Sequence, residues 1–509
     1  MEAIDALKQK VLSLAIQGKL VAQDPNDEPA SVLLEKIKAE KAELVKQGKI
    51  KKDKQESYIF RGDDNKYYEK IGSETKDITE EIPFDIPNNW EWVRLKTLGL
   101  TQTGTTPSKN ESSFWGGDFP FIHPAEISNN KISRAKEFLS FKGVEKARYI
   151  EKNSILMICI GDIGRAAITE IPCSCNQQIN SLTTYNALDA KYILFSMLSD
   201  CFQLQAKEKA SQTLVAILNK DKWEKLIIPL PPLSEQKRIV EEIEKIFGQI
   251  EVVKENQEEL NKLKDGLKNK VLDLAIQGKL VEQDPNDEPA SVLLERIKAE
   301  KAELVKQGKI KKDKQESYIY KGTDNRHYEK IGSEVRDITE EIPFDIPNNW
   351  EWVRLGNVIN LTSGRDLTPD CYSDIETKNC VPYITGASNI ENEQVIINRW
   401  TSKPQTLAYK GDLLLTCKGT VGLIAFLQCE NAHIARQIMS LKSFTCIDML
   451  YLKYFVLSYM AELQRRAKSM IPGISRDDVL QTLCPMPPLK EQQRIAKKIE
   501  IILNTIDDL

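Results

Sequence analysis

The chain has 509 residues, of which 41% are hydrophobic and 29% are charged, with a formal net charge of -4 at pH 7. This length favours about three domains, and this composition excludes a wholly disordered protein. No stretch reaches the roughly 18 apolar residues that a membrane helix needs, and the amphipathic N-terminus is unlike a signal peptide. We therefore expect a cytoplasmic protein with no membrane partner. The ten irregularly spaced cysteines, with no CxxC pair, indicate reduced thiols.

One long segment occurs twice. Residues 11–95 and 271–355 align without a gap and are identical at 75 of 85 positions. A weaker duplication relates residues 231–253 to 487–509. Laid on the continuous block 231–280, the C-terminal piece supplies the beginning of that block and the N-terminus supplies its end. The second copy of the repeat is therefore circularly permuted along the chain, which predicts a pseudo-twofold arrangement.

The block 231–280 has the pattern of a long helix. Its isoleucines and leucines recur every three or four residues and would form one apolar seam, which a solitary helix cannot bury. The two terminal helices repeat the two halves of this pattern, so we predict that they pack against the central helix as an antiparallel coiled coil. The alternative is a helix that lies on another core. The positions predicted for the seam, or for binding a partner, are Ile239, Ile243, Ile246, Ile250, Leu260, Leu267, Ile495, Ile499, Ile502 and Ile506.

Residues 96–228 and 356–486 follow the two repeated segments but differ almost throughout. Both look mixed α/β, with short β-branched or aromatic runs between Gly, Pro and Asn turns and a helical stretch near the end. The first holds sixteen basic and thirteen acidic residues, and the second holds thirteen and twelve. The acidic excess thus belongs to the repeated parts, and any DNA contact must be local.

A common skeleton links the two variable domains. Gly161 and Gly164 in the first align with Gly419 and Gly422 in the second. Two glycines three apart after a strand predict a tight turn, and a turn alone is the simpler interpretation. Arg, Lys, Asn and Gln are also the side chains that read base edges. The candidate DNA contacts are Lys109, Asn110, Arg165, Gln177, Gln178, Ser211, Gln212 and Thr213 in the first domain, and Arg365, Lys418, Arg436, Gln437, Lys468 and Arg476 in the second.

Taken together, these features resemble the specificity subunits of type I restriction-modification systems. The marks are IPNNWEWVRL before each variable domain, FWGGDFPFI at 114–122, NQQ at 176–178, and PLPPLSEQKRIVEEIE repeated as PMPPLKEQQRIAKKIE. Each mark is weak alone, but their order, twice over, is specific. The second domain departs from the pattern, since it has TPDCYSDIETKNC in place of the WGGD stretch and AHIARQ where the first has CSCNQQ.

The resemblance implies an α+β fold in which two α/β target-recognition domains are joined by two long conserved helical segments. The predicted boundaries are 1–80 for an N-terminal conserved helical region, 81–230 for the first target-recognition domain, 231–340 for a central conserved helical region, 341–486 for the second target-recognition domain, and 487–509 for a C-terminal conserved helix. Each target-recognition domain would read one half of an asymmetric bipartite site on double-stranded DNA.

The resemblance also implies partners. The conserved helices would dock two methyltransferase subunits, and motor-nuclease subunits would join them for cleavage. S-adenosylmethionine, ATP and Mg²⁺ are expected on those subunits, and no cofactor is expected on this chain.

The sequence contains no recognisable catalytic motif. There is no Asn/Asp-Pro-Pro-aromatic run of an adenine methyltransferase, no Walker A loop and no GxGxxG. Three scattered histidines do not suggest a zinc site or a catalytic triad. We therefore expect a non-catalytic protein. Two alternatives stay open: a self-sufficient DNA nuclease or methyltransferase with unrecognised motifs, and a DNA-binding coiled-coil scaffold or repressor.

Overall fold

The computed structural model describes residues 2–52, 56–128, 130–211, 215–310, 317–466 and 473–509. The chain divides into two compact units, residues 1–256 and 257–509. Within the described ranges, no helix is long and apolar enough to cross a membrane.

The first unit is mixed α/β. Its helices are α1 (Glu2–Ile16), α2 (Ala30–Lys46), α3 (Phe141–Val144), α4 (Ala190–Leu198), α5 (Asp200–Lys209), α6 (Lys220–Glu224) and the front of α7 (Leu233–Ile276). Its strands are β1 (Ser57–Arg61), β2 (Tyr67–Ile71), β3 (Glu74–Asp77), β4 (Glu91–Arg94), β5 (Gly99–Thr103), β6 (Trp115–Ile122), β7 (Lys131–Ile132), β8 (Glu137–Leu139), β9 (Ile155–Ile158), β10 (Ala166–Thr169), β11 (Ser174–Cys175), β12 (Ile179–Thr184) and β13 (Ile227–Leu230).

A central sheet with the order β5-β12-β9-β10-β7 organises the first variable domain. Its strand β9 is buried along its whole length. Because successive side chains of a strand point to opposite faces, Ile155 and Met157 join one core, which also contains α4, while Leu156 and Ile158 join another with Ile122 of β6. The domain is therefore layered, with helices on one side of the central sheet and the smaller β11-β6-β8 sheet on the other.

The second unit repeats this plan. It contains the rear of α7 and the helices α8 (Ala290–Lys306), α9 (Leu355–Val358), α10 (Met449–Arg466), α11 (Arg476–Leu480) and α12 (Leu489–Asp507). Its strands are β14 (Ser317–Lys321), β15 (His327–Ile331), β16 (Glu334–Asp337), β17 (Glu351–Arg354), β18 (Ile359–Ser363), β19 (Val381–Ile384), β20 (Ile390–Glu391), β21 (Gln394–Val395), β22 (Trp400–Thr401), β23 (Leu407–Tyr409), β24 (Leu413–Thr416), β25 (Ile424–Phe426), β26 (Asn431–Ile434), β27 (Ile438–Ser443) and β28 (Leu483–Met486).

The central sheet of the second unit has the order β18-β27-β24-β25, and β22-β19-β26-β23 forms its companion sheet. Strand β24 is buried throughout, as β9 is. Leu413 and Leu415 join the helical core, and Leu414 joins the core of the companion sheet. Two domains with little sequence in common thus share one layered α/β design.

The terminal helices pack in their own units. In the first, Lys8 of α1 contacts Glu251 of α7 at 3.5 Å, and the Gln23 amide donates a hydrogen bond to Glu235. In the second, Lys268 of α7 pairs with Asp507 of α12. Gln23 lies seven residues beyond the end of α1, so α1 and the segment that follows it run along the front of α7 in the opposite direction.

Most of the predicted seam is buried. Its buried members are Ile239, Ile243, Ile250, Ile495, Ile499 and Ile506, and its partly buried members are Ile246, Leu260 and Ile502. Leu267 is not part of the buried seam, because half of its surface is exposed, so only the partner-binding alternative stays open for it. Leu263, one turn earlier, is 60% exposed, so the apolar spacing here lies on an outward face of α7.

The conserved regions are not wholly helical, which corrects the expectation for 1–80 and 231–340. Each contains a three-stranded antiparallel sheet, β1-β2-β3 or β14-β15-β16. A hairpin turn precedes β2, where Asn65 has a positive φ of 63°. Asparagine tolerates that conformation, so the run FRGDDNKYY carried a turn signal between two alternating strands.

A buried arginine fixes each of these sheets to its unit. Arg94 lies 2.6 Å from Glu69 and 2.9 Å from Glu81, and Arg354 makes the same contacts with Glu329 and Glu341 at 2.8 Å. Burial alone would raise the pKa of Glu81, but hydrogen bonds and charge from Arg94 outweigh it and lower the pKa to about 2. The carboxylates therefore stay ionised and bound to arginine.

Candidate DNA-reading surfaces

One end of the central sheet gathers the loops of the first variable domain. Thr103 at the end of β5 pairs with Asn180, and Ile158 at the end of β9 pairs with Ile179, where β12 begins. Because β5 and β9 end at this edge and β12 begins at it, loops 104–111, 159–165 and 175–178 lie at the same sheet edge. The sequence candidates on these loops are thereby brought together.

The amide side chains at this edge hold one another in place. Thr106 donates a hydrogen bond through its hydroxyl to Gln177 Oε1 at 2.6 Å, and Asn176 Nδ2 donates to Gln178 Oε1 at 2.9 Å. Gln177 is exposed, whereas Gln178 is half-buried and its carbonyl accepts from the Cys159 amide at 2.8 Å. Gln177 is therefore the amide of this pair that faces solvent.

The glycine pair forms the predicted tight turn. Gly161 and Gly164 have φ values of 83° and 108°, a backbone conformation that favours glycine. Arg165 follows at the turn, with its Nε 2.8 Å from Asp162. The Gly161 amide donates to the carbonyl of Ala216, and the Ser211 amide donates to the carbonyl of Ile217, so Ala216 lies beside this turn and Ser211 lies next to Ile217.

Lys109 belongs to a charged and aromatic cluster that the sequence did not predict. Its Nζ lies 3.3 Å from Glu137 and 5.4 Å from the centre of the Trp115 ring. His123 Nε2 lies 2.8 Å from the same carboxylate, and this hydrogen bond lowers the pKa of Glu137. The aromatic WGGD stretch was the available signal for Trp115. Asn110, the next residue, is exposed.

The second domain gathers its candidates on an equivalent edge. Gly419 and Gly422 have φ values of 74° and 93°, which match the first turn. The Cys417 amide donates to the Gln437 carbonyl at 2.8 Å, just as Cys159 bonds to Gln178. Lys418 is exposed on this turn. The aligned glutamines therefore occupy the same backbone position in both domains.

Arginine dominates the second edge. Arg436 Nε lies 2.8 Å from Asp366, a residue that the sequence did not single out. The Arg365 amide donates to the Ile434 carbonyl at 2.9 Å, as Thr105 donates to Cys175 in the first domain. Both arginine side chains are exposed, as is Gln437. Among the candidates, this edge therefore offers two guanidinium groups, whereas the first offers one, that of Arg165.

The remaining candidates lie differently. Arg476, in α11, donates a hydrogen bond to the Leu361 carbonyl, so one of its donors is used inside the protein. Gln212, Thr213 and Lys468 lie outside the described residues.

Burial disfavours the thiolate form of cysteines near the first edge. Burial raises the pKa of Cys159 to about 12 and that of Cys173 to about 11. Among the residues that the structure describes, no group of three or more His, Cys, Asp or Glu is placed to hold a metal ion.

A family profile described as "Type I restriction modification DNA specificity domain" matches the chain twice, at residues 87–262 and 347–508. The chain belongs to this family. Each match contains one of the loop-bearing sheet edges described above. The predicted specificity subunit and its DNA-recognition role are thereby confirmed, and the catalytic activities of such systems lie in other subunits.

Curated relatives agree with this assignment over nearly the full length. The specificity subunit of the type I restriction enzyme EcoAI from Escherichia coli is 29% identical, and the match covers 99% of this chain and 90% of the relative. The EcoEI specificity subunit from the same species is 28% identical over the same shares.

A solved structure described as "Structural basis underlying complex assembly and conformational transition of the type I R-M system" has a similar fold. Its TM-score is 0.57 at 19% identity, and the match covers 84% of this chain and 93% of that chain. The mixed α/β content with two specificity domains is therefore established for this chain.

Proposed function

We propose that the two target-recognition domains read the two halves of an asymmetric bipartite site on double-stranded DNA. The observation that carries this proposal is the pair of equivalent sheet edges with different exposed side chains. One edge exposes Lys109, Arg165 and Gln177, and the other exposes Arg365, Lys418, Arg436 and Gln437. Because Gln178 and Gln437 are equivalent, Gln177 stands where the second edge has Arg436. An amide suits adenine and a guanidinium group suits guanine, so the two edges would favour different bases at this position.

Exchange of one domain tests this proposal. A chimaera that carries another family member's domain in place of residues 96–228 is expressed with its partner subunits, and the methylated sites in the host genome are sequenced. We expect a change in one half-site, with the other half unaltered. A change in both halves would contradict the two-domain assignment.

We also propose the partners. Two methyltransferase subunits would dock on the conserved regions, which are repeated almost unchanged, and motor-nuclease subunits would join for cleavage. S-adenosylmethionine, ATP and Mg²⁺ would be bound by those subunits in the cytoplasm. The buried isoleucines shared by α7 and the two terminal helices support an antiparallel coiled coil as the frame on which this assembly is built.

A self-sufficient enzyme would behave differently. The purified chain, incubated with DNA, S-adenosylmethionine, ATP and Mg²⁺, is expected neither to methylate nor to cleave the DNA. Activity that follows this chain through purification in the absence of partner subunits would contradict the proposal.

A further inference from the structure

Each unit carries an exposed aromatic face on its three-stranded sheet. Because strand residues alternate, Ile59 and Glu69 point into the unit while Tyr58, Phe60, Tyr68 and Lys70 share the outer face. The equivalent residues of the second unit are Tyr318, Tyr320, Tyr328 and Lys330. These two sets of four residues are called the aromatic faces below.

The rings of the two aromatic faces have the same arrangement. Phe60 stacks on Tyr68 with ring centres 5.8 Å apart, and Tyr320 stacks on Tyr328 at 5.7 Å. Tyr58 and Tyr318 extend the row and are 56% and 55% exposed. Three adjacent aromatic rings on an open sheet are uncommon on a surface without a partner.

The aromatic faces have kept their chemistry where the two copies differ most. Of the ten differences between residues 11–95 and 271–355, seven fall within 57–81 and its counterpart. Nevertheless Phe60 is replaced by another aromatic residue, Tyr320, and the tyrosines and lysine of the face are unchanged. A surface that differs in sequence but not in chemistry indicates the same kind of contact in both units.

Charge argues against DNA as the occupant. Residues 57–81 hold seven carboxylates, but Glu69 and Glu81 pair with Arg94, which leaves five against four basic side chains. In residues 317–341 two of the six carboxylates pair with Arg354, which leaves four against four. A nearly neutral surface lacks the basic excess that binds phosphates, whereas polar groups of both signs around an apolar patch are typical of a protein interface. Two nearly identical faces would also fit a partner that is present twice.

The sheets are presented rigidly. On the side opposite the aromatic face, Glu69 is 6% exposed and bound to Arg94, and Glu329 is 3% exposed and bound to Arg354. A surface that is already ordered loses little conformational entropy when a partner binds.

We propose that the two aromatic faces are twin docking sites, each for one methyltransferase subunit. The partner would insert an apolar patch over the ring row and place polar side chains against the mixed-charge rim of the face. This inference rests on the proposed function, since that function supplies the partner and its copy number.

The test counts methyltransferase subunits bound to the full chain. Three variants are compared with the wild type: Tyr58→Ser with Phe60→Ser, Tyr318→Ser with Tyr320→Ser, and all four changes together. Native mass spectrometry of the mixture with purified methyltransferase subunit is expected to give two bound copies for the wild type. Each double variant should bind one of them at least about tenfold more weakly, and the quadruple variant should bind both more weakly.

Two controls separate docking from folding. Phe141→Ser removes a more exposed aromatic ring, 83% exposed, outside the sheets and should leave the count at two. Tyr58→Phe with Tyr318→Phe keeps the rings and should also retain both subunits. Loss of binding in these phenylalanine variants would show that the aromatic rings do not carry the contact.

The outcomes distinguish the two proposals. If the wild-type chain binds no methyltransferase subunit, the proposed function fails. If the wild type and the quadruple variant bind two subunits with equal affinity, only the docking sites are wrong. Sedimentation of the chain alone adds a further outcome: self-association of the wild type that the quadruple variant loses would assign the faces to a second copy of this chain instead.

Discussion

The two target-recognition domains have equivalent backbones and different surfaces. Both place a glycine turn with two positive φ values beside a glutamine whose carbonyl accepts from a cysteine amide. At equivalent places on the edge, however, the first domain has Thr105 and Gln177 where the second has Arg365 and Arg436. The comparison teaches that the scaffold sets where a side chain is presented, and that the residue types at the edge are free to differ.

The largest effect is expected where the two units are most alike. Replacing Arg94 or Arg354 by Met leaves Glu69 or Glu329 buried without its cation, which costs about 3–5 kcal/mol of local stability. Hydrogen exchange of peptides from 57–77 and 317–337 measures the local unfolding of both three-stranded sheets in one sample. The two sets of peptides can be told apart by mass because their sequences differ. We expect equal losses within about 1 kcal/mol. Clearly unequal losses of local stability would show that the two units are not equivalent.

The glycine turns should respond unequally. An added Cβ at Gly164 would lie 1.8 Å from Gln203 Oε1, whereas at Gly422 the nearest atom is Met460 Cγ at 3.4 Å. Both substitutions also force alanine into a positive φ. We therefore expect Gly164→Ala to cost about 2 kcal/mol and Gly422→Ala about 1 kcal/mol, measured as hydrogen exchange of the adjoining strands. Equal costs would show that Gln203 moves aside freely.

The two loop-bearing sheet edges provide the next comparison. Gln177→Ala and Arg436→Ala, each in the complex with its methyltransferase subunits, should relax discrimination in different halves of the site. Loss of one base contact is worth about 1–2 kcal/mol, roughly a tenfold change in relative affinity. Competition binding with DNA probes altered in either half measures this effect. The assignment of one edge to each half would be untenable if both variants relaxed the same half.

The smallest effect is expected at Glu137, which pairs with Lys109 in the first domain. Glu137→Gln removes a negative charge beside the edge and frees the lysine, so DNA affinity should rise by about threefold, with less than about 1 kcal/mol lost in stability because the pair is exposed. Salt titration of DNA binding checks the charge effect, and Glu430→Gln, an exposed carboxylate paired with Lys410, serves as the control.

The contribution of Glu137 to stability also has a definite pH dependence. The hydrogen bond from His123 lowers the pKa of Glu137 from its ordinary value of 4.5. The pair therefore stabilises the fold above pH 4.5, and this small contribution is lost as the pH falls through the lowered pKa. In the Glu137→Gln variant, this part of the acid dependence should be missing.

Local sequence signals predicted the parts of the fold that depend on neighbours in the chain. The repeat, the long helix and the glycine turns all follow from spacing along the sequence. The seam prediction did not hold at Leu267, because periodicity identifies a face of the helix but not whether another element covers it. The sheets at 57–77 and 317–337 were placed in helical regions, although their turn residues were visible.

The candidate edge could be predicted only in outline. Residue type identified Gln177 and Arg165 in the first domain, and Lys418 and Arg436 in the second, as suitable for base reading, and loop position placed each pair at one sheet edge of its own domain. Asp366 and Glu137 were missed, because carboxylates that orient basic side chains across a loop have no fixed sequence distance from them. Which base each side chain meets depends on the docking geometry of the DNA, and no residue pattern encodes that.

The chain passes from one compact unit to the other only once, between Asn256 and Gln257 in an exposed stretch of α7. Each side of that peptide bond holds a terminal helix, a segment of α7, an anchored sheet and a complete reading domain. The chain thus consists of two units that contain the same kinds of element. A gene of half the length would already encode one whole set of parts, and doubling it adds a second base-reading edge without requiring a new fold.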